Sequence, residues 1–181
     1  MAKPENTPSE GAAAYLGLGS NLGDRKENIK AALQRLRDYA GITLVNYSSI
    51  YVTEPIGVPR QPEYYNAVAR IRTTLPPHTL LNAIKSIERE LGRQPDTHFQ
   101  ARPIDIDILL YGELEIDSLD LIIPHSRLTG RAFVLIPLRE LNPNLLHPVT
   151  FKRLEDYIKQ IYPPQNVERV IDAGKLFEPA P

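Results

Sequence analysis

The chain has 181 residues, 42% hydrophobic and 24% charged, which suits one globular domain and excludes a disordered chain or a fibrous repeat. Lys and Arg number 21 against 22 Asp and Glu, and the pI is near 6.4, so no overall basic field is available for nucleic acid or an anionic membrane. No cysteine is present, which excludes disulfides, a thiolate nucleophile, a Cys-type zinc site and an iron–sulfur cluster.

Residues 1–13 are polar, carry Pro and Gly, and read as a loose tail. They lack the apolar core of a secretory signal, and no Arg precedes Arg25. No apolar run approaches the roughly 18 residues of a membrane span, so a cytoplasmic protein is expected. Ala14–Gly19 reads as a strand. Ser20-Asn21-Leu22-Gly23 is a turn, and Asp24 with Glu27 three residues on resembles a capping box. Ile29, Leu33 and Leu36 share the buried face of the helix that follows, and Gly41 stops it.

Ile42–Thr53 is rich in β-branched and aromatic residues and predicts one long strand. EPIGVPRQPE is a loop, and Tyr65–Thr73 a further strand. Pro76 and Pro77 open a second helix with Leu80, Ile84, Ile87 and Leu91 as its stripe and Gly92 at its end. After the loop RQPDTHFQARP, Ile104–Tyr111 is the clearest strand in the chain. A short helix around RAFVLIPLREL, one helix after Phe151 and a Pro-rich tail complete it. The order β-α-β-β-α-β predicts a ferredoxin-like α+β fold, an antiparallel sheet with helices packed on one face.

Asp105-Ile106-Asp107 is the sharpest chemical feature. Side chains two apart in a strand point the same way, so both carboxylates share one face. Standing roughly 6–7 Å apart, they repel unless a cation lies between them, and a hard divalent ion such as Mg²⁺ suits oxygen ligands. A solvated polar face is the plainer reading of D-x-D on spacing alone. Arg102, His125, Arg127 and Arg131 shift that balance, because carboxylates for a metal with Arg and His for phosphate form the set a nucleotide needs.

GLGSNLG is G-x-G-x-x-x-G and lacks the Lys-Ser/Thr of a P-loop, so it reads as a tight strand-to-helix turn rather than a dinucleotide or P-loop site. His78, His98, His125 and His147 show no zinc spacing. Tyr64, Tyr65 and Phe133 are either core aromatics or, with the Asn66 amide, a clamp for a flat heterocycle.

The segments AYLGLGSNLGDR, SSIYVTEPIG, QPEYYNAV, LLNAIKSIERELGR, ARPIDIDILLYG, IIPHSRLTGRAFVLIPL and LHP run in order from Ala14 to Pro148, about three-quarters of the chain. In combination they resemble the 6-hydroxymethyl-7,8-dihydropterin pyrophosphokinase family of folate biosynthesis. The resemblance implies transfer of pyrophosphate from ATP to the pterin hydroxymethyl group with release of AMP. It implies that Asp105 and Asp107 hold two Mg²⁺ ions, and that these two with Arg102 and Arg131 form the catalytic set. It places Glu88, Arg102, Ile108, His125 and Arg131 against ATP, and Thr53, Glu54, Ile56, Tyr64, Asn66 and Phe133 against the pterin. Relatives use no evident protein base, so positioning and electrostatics carry the rate.

GVPRQPE and RQPDTHFQA would be lids over ATP. Phe99-Gln100-Ala101 stands where the family usually has Trp/Phe-Gly-Pro. Asp120 and Ser126 replace an arginine and a tyrosine, and Arg93 is the nearby candidate for a lid arginine. The implied organisation is a tail at 1–13, a catalytic domain at 14–162 and a C-terminal extension at 163–181, acting as a monomer or weak homodimer without a nucleic-acid or membrane partner. The competing reading is a non-catalytic ferredoxin-like module that binds RNA or a small ligand. RAFVLIP faintly resembles an RNA-binding motif, but the low pI argues against RNA, and a ligand module leaves the two aspartates unexplained.

Overall fold

Among residues 11–55, 61–94 and 100–178, which the computed structural model describes, the chain runs β1 (Ala12–Ser20), α1 (Arg25–Asp38), β2 (Ile42–Tyr47), β3 (Ile50–Thr53), β4 (Tyr64–Thr73), α2 (Pro77–Glu90), β5 (Asp105–Tyr111), β6 (Ile116–Asp117), β7 (Ile122–Ile123), α3 (Ala132–Leu141), α4 (Leu154–Gln160) and β8 (Val167–Ile171). The main sheet has the order β5-β1-β4-β3-β8, with β2 also paired to β4, and every pairing is antiparallel. With β2 and β3 taken as one interrupted strand, this is the ferredoxin-like α+β arrangement, extended at one edge by β8.

Local chemistry sets the element ends. The Asp24 carboxylate accepts the Glu27 N–H at 3.1 Å, capping α1 as its spacing predicts. The expected single strand over Ile42–Thr53 breaks at Ser48-Ser49. There the Ser48 hydroxyl accepts the Val68 N–H at 2.9 Å and donates to the Ser49 carbonyl at 2.8 Å. A side-chain hydroxyl thus substitutes for a backbone partner and interrupts the ladder.

One sheet face carries Leu16, Leu18, Ala67, Ala69, Ile71, Ile106 and Ile108, packed on Ile29, Leu33 and Leu36 of α1 and Leu80, Ile84 and Ile87 of α2. Leu91, expected in the stripe, is the half-buried cap residue of α2. The helices do not keep to this face. Tyr15, Val68, Leu109 and Leu110 make the opposite face apolar, and Val134, Leu135 and Leu138 of α3 with Leu154 of α4 cover it. A register shift of β1 against β5 leaves Leu109 without a partner residue, so two successive leucines join the same cluster.

Glu140 of α3 anchors this second layer. Its carboxylate accepts from the Ser49 N–H at 3.1 Å, the Ser49 hydroxyl at 2.8 Å and the Tyr51 hydroxyl at 2.9 Å. Ser49 Oγ in turn accepts the Ala173 N–H at 3.2 Å, just beyond β8. Burial, with the Glu140 charge behind it, pushes the Tyr51 phenol up to about 12. Beyond this layer the same sheet face carries Gly17 and Gly19 on β1 and Asp105 and Asp107 on β5, and a cleft opens there.

Candidate active site

Strand register assembles the floor of the cleft. Asp105 pairs across Gly19 and Asp107 across Gly17, while Gly19 also faces Asn66 on β4. Directly opposed residues in an antiparallel sheet share a face. The cleft, about 870 Å³, is therefore floored by two glycines with carboxylates on one side and an amide on the other. Thr53 and Tyr64 line it from β3 and β4, Glu54 from just beyond β3, and Arg131 and Phe133 from the start of α3. The Asn66 amide Nδ2 donates to Thr53 Oγ1 at 2.8 Å, and both side chains are nearly buried.

Charge in the cleft is arranged around the aspartates. Asp105 is paired with Arg93 and lies 3.3 Å from Arg102 Nε. Burial alone would raise its pKa, but Arg102, Arg93 and Lys85 outweigh it and hold the carboxyl below its ordinary value. Asp107 goes the other way: burial and then the Asp105 charge push it up, against the pull of His125. Its side chain keeps 40% exposure, enough to reach a ligand in the cleft.

His125 Nδ1 accepts the Arg127 N–H at 3.1 Å, which places the proton of the neutral ring on Nε2. That nitrogen lies 3.9 Å from Asp107 Oδ2. Burial lowers the His125 pKa, and Asp107 opposes it. Lys85, Arg93, Arg102, Arg127 and Arg131 together outnumber the two aspartates on the lining. Among the described residues the buried Arg102 Nε has the Asp105 ion pair but no hydrogen-bond partner. Such a surface suits a polyanion.

A smaller cavity of about 280 Å³ adjoins the first, with Lys85, Asp107, His125 and Ser126 lining both. Its other walls are Leu81, Ile106, Ile108, Leu119, Leu121 and Ile122, with Asp120 at its margin. An apolar slot beside a basic, carboxylate-bearing cleft can take a flat base attached to a phosphate chain.

The expected site residues thus fall into groups. Thr53, Glu54, Tyr64, Asn66, Arg102, Asp105, Asp107, His125, Arg131 and Phe133 line the large cleft, and Ile108 lines the apolar slot. Glu88 lines neither. It is 2% exposed and lies behind β5, accepting from Lys85, Arg93 and the Ile106 N–H. Ile56 lies outside the described residues, as do 57–60 and 95–99 of the two expected lids.

Three residues escaped the sequence reading. Lys85 lines both cavities, and its spacing of three from Glu88 on a helix is the signal that could have found it. Asn21 ties the β1–α1 turn to the segment before β5. Its Oδ1 accepts the Arg102 N–H at 2.8 Å, and its own N–H donates to the Arg102 carbonyl at 3.2 Å. Gln165 accepts the Ala132 N–H at 2.9 Å and donates to the Gly130 carbonyl at 3.0 Å, bracketing Arg131. No local pattern marks it.

Among the described residues no group of three or more His, Cys, Asp or Glu side chains is placed to hold a metal. Two carboxylates on one face fit Mg²⁺ nonetheless, because that ion takes one or two protein carboxylates and fills its shell with phosphate oxygens and water. An antiparallel α+β sheet with such a carboxylate pair, a basic wall and a base-sized slot has the make-up of a protein that handles phosphoryl groups.

The chain belongs to the 7,8-dihydro-6-hydroxymethylpterin-pyrophosphokinase family, whose model matches residues 15–143. It is 41% identical over 128 residues to 2-amino-4-hydroxy-6-hydroxymethyldihydropteridine pyrophosphokinase of Bacillus subtilis, covering 71% of this chain and 77% of that protein. It is 42% identical over 134 residues to the enzyme of the same name from Pseudomonas aeruginosa, covering 74% and 83%. A folate synthesis bifunctional protein of Arabidopsis thaliana is 48% identical over 127 residues, covering 70% of this chain but 26% of that one. The chain spans about a quarter or less of the length of the plant and fungal relatives it matches. A crystal structure of an HPPK-DHPS with substrates superposes at a TM-score of 0.69 and 14% identity, covering 84% of this chain and 43% of the other, a likeness of fold.

Proposed function

We propose that this chain transfers the pyrophosphoryl group of ATP to the hydroxymethyl oxygen of 6-hydroxymethyl-7,8-dihydropterin. The acceptor oxygen bonds to the β-phosphorus, the bridge between the α- and β-phosphates breaks, AMP leaves, and the hydroxyl proton is released. The observation that carries this reading is one row of the sheet. Asp105, Gly19 and Asn66 lie side by side across β5, β1 and β4, so a carboxylate for metal-bound phosphate and an amide for a heterocycle edge are one strand apart on either side.

In this reading Asp105 and Asp107 hold two Mg²⁺ ions. When bound, the metal would neutralise the triphosphate and orient it for attack. Arg102, Arg131, Arg93 and Lys85 donate to phosphate oxygens, and the His125 Nε2–H faces the same region. Ile108 and its apolar neighbours take the nucleobase. Tyr64 and Phe133 stack on the pterin, and Asn66, fixed by Thr53, reads its edge. Glu54 and Ile56 complete the pterin contacts. Glu88 serves the nucleotide indirectly, by holding Lys85 and Arg93. A cytoplasmic location and a monomer or weak homodimer belong to the same proposal; no described helix is long and apolar enough to cross a membrane.

The test is AMP release from purified protein, ATP, Mg²⁺ and the pterin, with each component omitted in turn. AMP formed only in the full mixture is the expected result. Folded protein that forms none overturns the reading and favours a binding module on this fold.

A further inference from the structure

The glycines of GLGSNLG are not equivalent. Gly23 has φ +66°, a left-handed turn conformation that favours glycine. A Cβ on Gly17 would lie 3.3 Å from Leu109 Cδ2, closer than an ordinary contact, so packing accounts for that residue. Gly19 has neither reason. Its φ is outside the left-handed region, and a Cβ there would meet Asn66 Oδ1 at 3.5 Å and Tyr64 Cδ1 at 3.9 Å, both ordinary van der Waals distances.

A glycine inside a strand is less stable than alanine, because it loses more backbone freedom on folding and packs no side chain. The fold would therefore be served better by alanine at this position. What glycine leaves at this position is bare backbone on the cleft, which Gly19 helps to line.

We infer that Gly19 is a specificity determinant for the acceptor: its bare backbone lets a flat bicyclic heterocycle with a short alcohol arm lie across β1 between Asn66 and Asp105. This rests on the pyrophosphokinase reading. Neighbouring strands are about 4.8 Å apart, so an alcohol arm leaving a ring held at Asn66 crosses one strand to reach the Asp105 side. A side chain on Gly19 stands on the same face as Asp105 and Asn66, its register partners, and rises into that path. It also rises beside Tyr64, where it wedges any ring lying on that aromatic off the floor. The phosphate side of the cleft, lined by Lys85, Arg93, Arg102 and Arg131, is left open.

The experiment compares wild type with Gly19→Ala and Gly19→Val. Each is titrated calorimetrically with the pterin in the presence of Mg²⁺ and a non-transferring α,β-methylene ATP analogue, titrated separately with the Mg²⁺–analogue alone, and melted. Gly19→Ala should keep or raise the melting temperature, keep analogue affinity within about twofold, and weaken pterin binding at least about tenfold. Gly19→Val should weaken it further. Wild-type pterin affinity in a stable Gly19→Ala overturns the inference and leaves the proposed function standing. A clearly lowered melting temperature in Gly19→Ala also overturns it, by giving the glycine a role in folding. Failure of wild type to bind the pterin overturns both.

Discussion

The Glu88 carboxylate accepts the backbone N–H of Ile106 at 2.6 Å, from the residue that separates Asp105 and Asp107. The same carboxylate receives Lys85 at 3.0 Å and Arg93 at 2.7 Å. One buried acid on α2 therefore fixes the strand from behind and two of the cations that face the cleft. Burial pushes its pKa up, against the charges of Lys85 and Arg93. Removing it leaves the Ile106 N–H without its acceptor and takes from Arg93 one of its two carboxylate partners, Asp105 being the other. Glu88→Ala should cost about 1–3 kcal/mol, the scale of leaving a buried donor unsatisfied, and Glu88→Gln, which keeps an acceptor for Ile106, distinctly less. Urea denaturation of the two variants against wild type checks the order.

Asp107 separates function from stability. Its carboxyl is pushed up by burial and by Asp105, so the ionised pair is under tension in the free protein. Asp107→Asn relieves that tension while removing an anionic ligand. Melting temperature should hold or rise, and turnover should fall by at least about 10²-fold, the scale of losing one transition-state electrostatic contact. Paired thermal melts and initial rates at saturating Mg²⁺ test this. Unchanged turnover would contradict the metal assignment.

Gln165 brackets Arg131 by bonding the carbonyl before it and the N–H after it. It lines the cleft, but its hydrogen bonds go to backbone on either side of Arg131, so it is assigned as a positioning residue. Two hydrogen bonds at about 0.5–1.5 kcal/mol each set the scale, and Gln165→Ala should lower kcat/KM by about tenfold. Gln165→Glu still accepts from Ala132 but cannot donate to Gly130 when ionised, and should fall between. Steady-state kinetics with ATP varied, beside melting curves, distinguishes a shifted Arg131 from a loosened fold.

The Tyr51–Glu140 bond predicts an alkaline signature. The phenol titrates near 10 when unfolded and at about 12 when folded. The folded state then holds the extra proton between those values. The stabilisation is fully present below about pH 10 and is lost as pH rises toward 12. Wild type should lose more stability over this interval than Tyr51→Phe, by up to about 2–3 kcal/mol. Chemical denaturation at pH 9 to 11.5 reads the difference.

Much of this was legible in the sequence, and the reasons are physical. Period-two alternation placed Asp105 and Asp107 on one face of a strand, and period 3.6 found the faces of α1 and α2. The break at Ser48 was not legible, because nothing in ITLVNYSSIYVT says which hydroxyl will displace a ladder bond. The second helical layer was missed because the face bearing Tyr15, Val68, Leu109 and Leu110 is assembled from three strands and a register shift. The strand Val167–Ile171 pairs with β3, more than 110 residues earlier in the chain, and its exposed residues give it little apolar pattern. At the site, residue types found the carboxylates, arginines and aromatics. Glu88 and Gln165 show the limit: what they do depends on which backbone groups the fold brings to them.

Pyrophosphoryl transfer is tested most directly by following both transferred phosphorus atoms. Purified protein is mixed with Mg²⁺, the pterin and ATP labelled at the β- and γ-positions, and the products are separated. The expected products are AMP without label and a pterin diphosphate carrying both. Label divided between ADP and a monophosphorylated pterin would mean a simple kinase, and label released as free pyrophosphate would mean a hydrolase. Either result would contradict pyrophosphoryl transfer.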